Sequence, residues 1–300
     1  MERSRALIFA GTTIITSACF WLAAKHRYSP ALCLGKLRGE LLKRETLKSK
    51  RVAHRGFHYS TDDLKRPLEN TLAAYERAWS AGIVHCECDV TLTSDGVIVL
   101  SHDDDLKRLA LYPGTILKKV KECPFSQLEL TPLKDGSRVP RLIEVLRAAQ
   151  RVGKHCRLVI EIKGSDLECA KKVAEIASTD LGNFISVVMS FSSESVQEFA
   201  KLNPKKGQIL TMLLKGSDFT LEDMSHDLSN LKEKQIDGLY LMYQAKFLTE
   251  SKFKDLTREV PTGIWGRRVL DPDRVSNCHA LIEKGAQFVN TDFPDNFFES

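Results

Sequence analysis

The sequence predicts an α/β chain of the TIM (β/α)8 barrel class. Three observations lead there. Apolar, β-branched runs of strand length alternate with runs of helical spacing, the signature of a parallel sheet with crossover helices. The chain has 300 residues and is 43% hydrophobic, enough for one barrel of about 250 residues plus a short N-terminal segment. Polar and charged side chains stand where strand-like runs end: His54, Glu87, Glu161, Ser190 and Thr291. In a barrel those ends converge on one face, where active sites are built. A doubly wound sheet is the competing arrangement, but no G-x-G-x-x-G follows the first strand.

The elements follow in order. Ala6–Ala24 carries no charge for nineteen residues, just long enough to cross a bilayer, and predicts a short N-terminal hydrophobic helix. Arg3 and Arg5 precede it. From Lys25 to Arg51 there are nine basic residues and two acidic ones, a net of +7. The heavier basic load after the span places the remaining chain on the cytosolic side by the positive-inside rule. The expectation is a single membrane anchor with a cytosolic barrel. A cleaved secretory or organelle-targeting peptide and a soluble hydrophobic helix are the alternatives. The expected division is 1–50 as anchor and basic linker, and 51–300 as the barrel.

Val84–Val90 reads as a strand before the turn signal Thr93-Ser94-Asp95-Gly96, and Val97–Leu100 as its return. Asp104–Pro140 is loop-rich, a candidate lid or substrate-side insertion. Helical spacing marks 141–152, strand character 157–163, and helix again 167–178. Strands at 184–189, 208–214, 238–242, 263–265 and 287–290 alternate with helices at 193–202, 221–234, 250–259 and 272–284. This gives more than eight strands, and the hairpin after Asp89 accounts for the excess.

The chemistry-bearing residues sit on this frame. Residues i and i+2 of a strand share a face, so Glu87 and Asp89 project together, with Cys86, Cys88 and Val90 opposite. Two carboxylates on one buried face call for a cation between them or a proton on one. The tight turn returns His102 toward them. Glu161, on the next strand pattern, adds a third carboxylate for Ca²⁺ or Mg²⁺. Arg55 and Lys163 offer positive charge to a phosphate. His54 and His102 can move protons at neutral pH. Singly, each has an ordinary reading: a hydrogen-bonded strand-end histidine, a solvated acid pair, a surface lysine, a core tryptophan at Trp265. Jointly those readings fail, because each charge interrupts an apolar strand.

The ordered series H-R-G (54–56), E-N-T (69–71), E-x-D (87–89), H-D (102–103), E-I-K (161–163), Ser190-Phe191 and T-D-x-P (291–294) resembles the glycerophosphodiester phosphodiesterase family over roughly residues 51–297. The resemblance implies a distorted barrel, one divalent cation (Ca²⁺ or Mg²⁺), and hydrolysis of a phosphodiester to an alcohol and a phosphomonoester. It makes His54 and His102 the acid/base pair. Glu87, Asp89 and Glu161 become metal ligands, with His102 also touching the metal. Arg55, Lys163, Glu69, Asn70 and Trp265 become phosphate and substrate contacts or their support. Leu68 stands where many members have Pro, and Trp265 is followed by Gly266-Arg267-Arg268 where a Thr-Val-Asn run is common. The expected substrate is a glycerophosphodiester. A lysophospholipid, cleaved by a membrane-anchored lysophospholipase D, is the alternative, and a non-catalytic tethered module a weaker one.

Charge and cysteine narrow the classes further. The net charge is +5, but residues 52–300 carry −3, which does not support a nucleic-acid footprint. The eight cysteines contain no C-x-x-C zinc pair, and Cys86-x-Cys88 is expected to pack under the helices.

Overall fold

The structure is a computed structural model and describes residues 49–58, 66–112, 118–266 and 274–294. The N-terminal segment, including the expected hydrophobic helix at 6–24, lies outside these residues. No helix among the described residues is long and apolar enough to cross a membrane.

Eight parallel strands close into a barrel: β1 Arg51–Ala53, β2 His85–Leu92, β4 Arg157–Ile162, β5 Ile185–Ser190, β6 Leu210–Lys215, β7 Gly238–Met242, β8 Thr262–Trp265 and β9 Phe288–Thr291. Each pairs in parallel with its neighbours, and β1 closes the ring by pairing with both β9 and β2. The ninth strand, β3 Ile98–Leu100, runs antiparallel to β2 and is the hairpin return. Helices α1 Leu72–Ser80, α3 Leu142–Val152, α4 Leu167–Ala177, α5 Ser193–Leu202, α6 Met224–Lys234, α7 Ser251–Glu259 and α8 Val275–Glu283 alternate with the barrel strands, and a short α2 Phe125–Glu129 lies in the segment after β3.

Two apolar layers hold the barrel. Inside it, Val52, Val159, Val187, Met212, Tyr240 and Phe288 pack across the strands. Outside it, the opposite strand faces meet the helices, and Cys86, Cys88 and Val90 lie there with Trp79, Leu146 and Val173. The expected two faces of β2 are therefore present. All six described cysteines are free and buried, as packing residues would be.

Several differences from the sequence reading have local causes. Helix α1 had no assignment. Its apolar residues Ala74, Tyr75, Ala78 and Trp79 form one buried stripe, and the Thr71 hydroxyl caps it by accepting from the Ala74 N–H. Helix α6 begins at Met224 rather than 221, because the Thr220 hydroxyl accepts from the Asp223 N–H and donates to its carboxylate, a turn that competes with helix. The segment 104–140 is more than loop. It holds α2, and Leu106, Val120, Phe125, Leu128 and Leu133 pack with Val99 into a small core of their own.

Candidate active site

Parallel register assembles the site. Asp89 on β2 lies opposite Glu161 on β4, and Glu87 opposite Val159. Ala53 is level with Cys86 on one side and Thr291 on the other. The residues just past those positions, His54, Glu87 and Asp292, therefore meet at one rim.

Glu87, Asp89 and Glu161 are buried, and one oxygen from each lies within 4.8 Å of the others. Burial, followed by the charge of Asp89, pushes the Glu87 carboxyl up to about 8. Asp89 moves the other way. Burial opposes its charge, but Arg55 and Lys163 outweigh that and hold it well below the usual carboxylate range. Lys163 Nζ sits 2.8 Å from Glu161 Oε1 and 3.3 Å from Asp89 Oδ1. Arg55 Nε is 3.2 Å from Asp89 Oδ2, and its backbone N–H donates to Glu87 at 2.9 Å. Three buried carboxylates offering hard oxygen donors within reach of one another fit a divalent cation, which would also favour the charged form of Glu87.

Each histidine has its own carboxylate. His54 Nδ1 lies 2.5 Å from Asp292 Oδ1, and its Nε2 faces Glu87 at 3.8 Å. Burial alone would lower its pKa. The bond to Asp292 and the charge of Glu87 overcome that and raise it to about 9. His102 Nδ1 lies 2.8 Å from Asp103 Oδ1. Its pKa is lowered, first by burial and then by Arg55 and Lys163, against the pull of Asp89. The two imidazoles are thus driven apart, the pattern of an acid and a base. His102 is not part of the three-oxygen cluster.

Asn70 and Glu69 act beneath this layer. Asn70 is held at φ 55°; its amide donates to Asp89 Oδ2 at 2.9 Å and its oxygen accepts from the Tyr75 hydroxyl at 2.7 Å. Both residues are buried, and Asn70 orients Asp89. Glu69 accepts from Arg55 at 2.9 Å and from both terminal nitrogens of Arg108 at 2.6 and 2.8 Å. Arg108 Nε also donates to Asp103 Oδ2 at 2.7 Å, so one guanidinium ties Glu69 to the carboxylate behind His102. Sequence reasoning assigned no role to Arg108, Asp292, Asp103 or Tyr75. Asp103 and Asp292 lay inside quoted motifs, H-D and T-D-x-P, while Arg108 sits in a loop with no periodic signal.

Both histidines, Glu87, Glu161, Arg55 and Lys163 line a cleft of about 540 Å³ together with Phe191, Trp265, Met189 and Leu214, and Asp89 lies beneath it. Phe191 and Trp265 meet edge to face at 5.6 Å, with Phe191 half exposed. The Trp265 indole donates to the Lys215 carbonyl at 3.2 Å, which fixes its ring. Ser190 of the Ser190-Phe191 pair is buried and donates to the Ile162 carbonyl at 2.7 Å, a bond between adjacent strands. Arg267 and Arg268 lie outside the described residues.

The chain is similar to known proteins along most of this barrel. It is 30% identical to a glycerophosphodiester phosphodiesterase of Caldanaerobacter subterraneus, over 78% of this chain and 98% of that one. A crystal structure of a glycerophosphodiester phosphodiesterase from Parabacteroides distasonis superposes with a TM-score of 0.62 at 25% identity, covering 83% of this chain and 95% of that one. Other matches are partial. The chain spans 57% of a putative glycerophosphodiester phosphodiesterase of Bacillus subtilis (32% identical, 45% of this chain) and 51% of a lysophospholipase D of Mus musculus (28% identical, 54% of this chain). The sequence profile of the glycerophosphoryl diester phosphodiesterase family matches residues 54–254, from the first catalytic candidate His54 to beyond β7, and the chain belongs to that family of phosphoric diester hydrolases.

Proposed function

We propose that the barrel, residues 51–300, hydrolyses a glycerophosphodiester to an alcohol and glycerol phosphate, with His54 and His102 as the acid/base pair. One observation carries the reading. Two histidines, each oriented through Nδ1 by its own carboxylate, flank a buried three-carboxylate cluster in one cleft. Glu87, Asp89 and Glu161 would hold one divalent cation, Ca²⁺ or Mg²⁺, which when bound supplies Lewis-acid neutralisation of the phosphate. Asp292 keeps His54 protonated at neutral pH, so His54 is placed to give a proton to the leaving alcohol oxygen. His102, held neutral, is placed to take a proton from the nucleophile, water or the glycerol 2-hydroxyl. Arg55 and Lys163 add positive charge beside the developing phosphate charge.

A lysophospholipid is the second substrate to consider. The exposed Phe191 and the part-buried Trp265 give the cleft an apolar wall suited to an acyl chain, and the mouse relative is named for that activity. The test compares glycerol phosphate release from glycerophosphocholine with choline release from lysophosphatidylcholine, each with and without EDTA. Turnover is expected to vanish in chelator and return with Ca²⁺ or Mg²⁺. Glu87→Gln should fold and lose that cation response. Full activity in excess chelator would overturn the metal assignment, and the ratio of the two rates decides the substrate.

A further inference from the structure

We propose that the face carried by residues 104–112 and 118–140 is a bilayer-docking surface that seats the cleft mouth on an anionic phospholipid membrane. Three large apolar side chains stand out on it: Leu130 is 84% exposed, Tyr112 61% and Leu111 42%. They are not left out for want of a core, since the segment packs its own apolar cluster underneath. Backbone pairing brings them to one edge. Leu111 N–H donates to the Pro132 carbonyl at 2.9 Å, Lys134 N–H to the Leu109 carbonyl at 2.9 Å, and Ala110 bridges Leu133. Leu130 lies two residues from Pro132. Single exposed leucines are ordinary, but three on one edge make a patch.

The charge of the same segment selects the partner. The segment carries seven basic residues against five acidic. Its acids are engaged locally: Asp104 with Lys119 at 3.1 Å, Asp105 with Lys107 at 2.9 Å, and Asp135 as acceptor from Leu68 and Ser137. Glu129 faces Arg138 at 4.0 Å, and Glu122 accepts from the Lys119 N–H. Lys118, Lys121 and Lys134 are exposed and have no ion-pair partner among the described residues. Exposed leucine and tyrosine, with Lys134 paired to the same edge through Leu109 and Lys118 and Lys121 elsewhere in the segment, match the acyl boundary and the anionic headgroups of a bilayer. A nucleic acid would satisfy the lysines and leave the leucines in water. The placement also suits this role. Arg108, in the same segment, reaches the cleft rim at Glu69, so the docking face adjoins the mouth.

The test uses the full chain with vesicles of phosphatidylcholine containing 30 mol% phosphatidylserine, a mole fraction chosen at roughly physiological surface charge. Leu130→Trp is introduced, and fluorescence quenching by lipids brominated on their acyl chains is compared with that of the unsubstituted chain. Added quenching is expected, and it should fall severalfold when Lys118, Lys121 and Lys134 are all changed to Ala. Leu111→Asp with Leu130→Asp should slow hydrolysis of vesicle-embedded lysophosphatidylcholine by about fivefold or more, the loss expected when tethering no longer raises local substrate concentration. Hydrolysis of soluble glycerophosphocholine should not change. Quenching requires no turnover, so a protein that docks yet cleaves neither substrate would refute the enzymatic reading and leave this one standing. No added quenching at position 130, or a dimer abolished by Leu130→Asp without quenching, would overturn the docking surface.

Discussion

Replacing Asp292 with Asn isolates the role of His54. The perturbation keeps the shape and removes the charge that His54 Nδ1 meets at 2.5 Å. His54 stands at about 9 against an ordinary 6.5. At about 1.36 kcal/mol for each tenfold change in proton affinity, that difference is at most about 3.4 kcal/mol of preference for the protonated ring. The His54 side chain is 21% exposed, so solvent screening takes only part of it. The sign follows from linkage. The folded state holds the proton more tightly than the unfolded chain, so this stability is fully present below pH 6.5 and is lost as pH rises through 9. In chelator, the unsubstituted protein should lose thermal stability between pH 6.5 and 9, by several degrees of Tm. Asp292→Asn should flatten that slope. It should also lower kcat on glycerophosphocholine by about 100-fold, since the ring loses both its proton and its orientation. Differential scanning fluorimetry across pH and a pH–rate profile read the two effects. A variant within threefold of normal kcat, with an unchanged stability slope, would refute the reasoning.

Two further outcomes follow from the same geometry. Arg108→Ala should lower kcat by about tenfold with little change in KM, because Asp103 and Glu69 lose their shared fork; Arg108→Lys should not restore it, as an ammonium cannot bond both carboxylates with the same geometry, and steady-state kinetics separate the two. Gly56→Ala should cost about 2 kcal/mol or more in denaturant unfolding, since Gly56 holds φ 83° and a Cβ there would lie 2.8 Å from that of Ala74, while a change below 0.5 kcal/mol would mean the turn after His54 relaxes freely.

The sequence alone determined the class of the fold and half of the site. Period-2 and period-3.6 patterns are local, so the runs at 193–202 and 238–242 matched their elements at both ends. The i, i+2 rule on β2 put Glu87 and Asp89 together and sent Cys86 and Cys88 to the helices, because strand geometry leaves no other choice. The carboxylate beside each histidine belongs to the tertiary level. Asp292 meets His54 across 238 residues, a contact fixed by β1 joining β9 as the barrel closes. Arg108 reaches Glu69 only because the segment after β3 folds on its own small core and lies beside the cleft. Asn70 orients Asp89 through a left-handed backbone turn that no periodicity marks. The split between a high His54 and a low His102 is likewise a tertiary fact. Both are histidines with an aspartate partner, and only the surrounding burial and the placement of Glu87, Arg55 and Lys163 drive them in opposite directions.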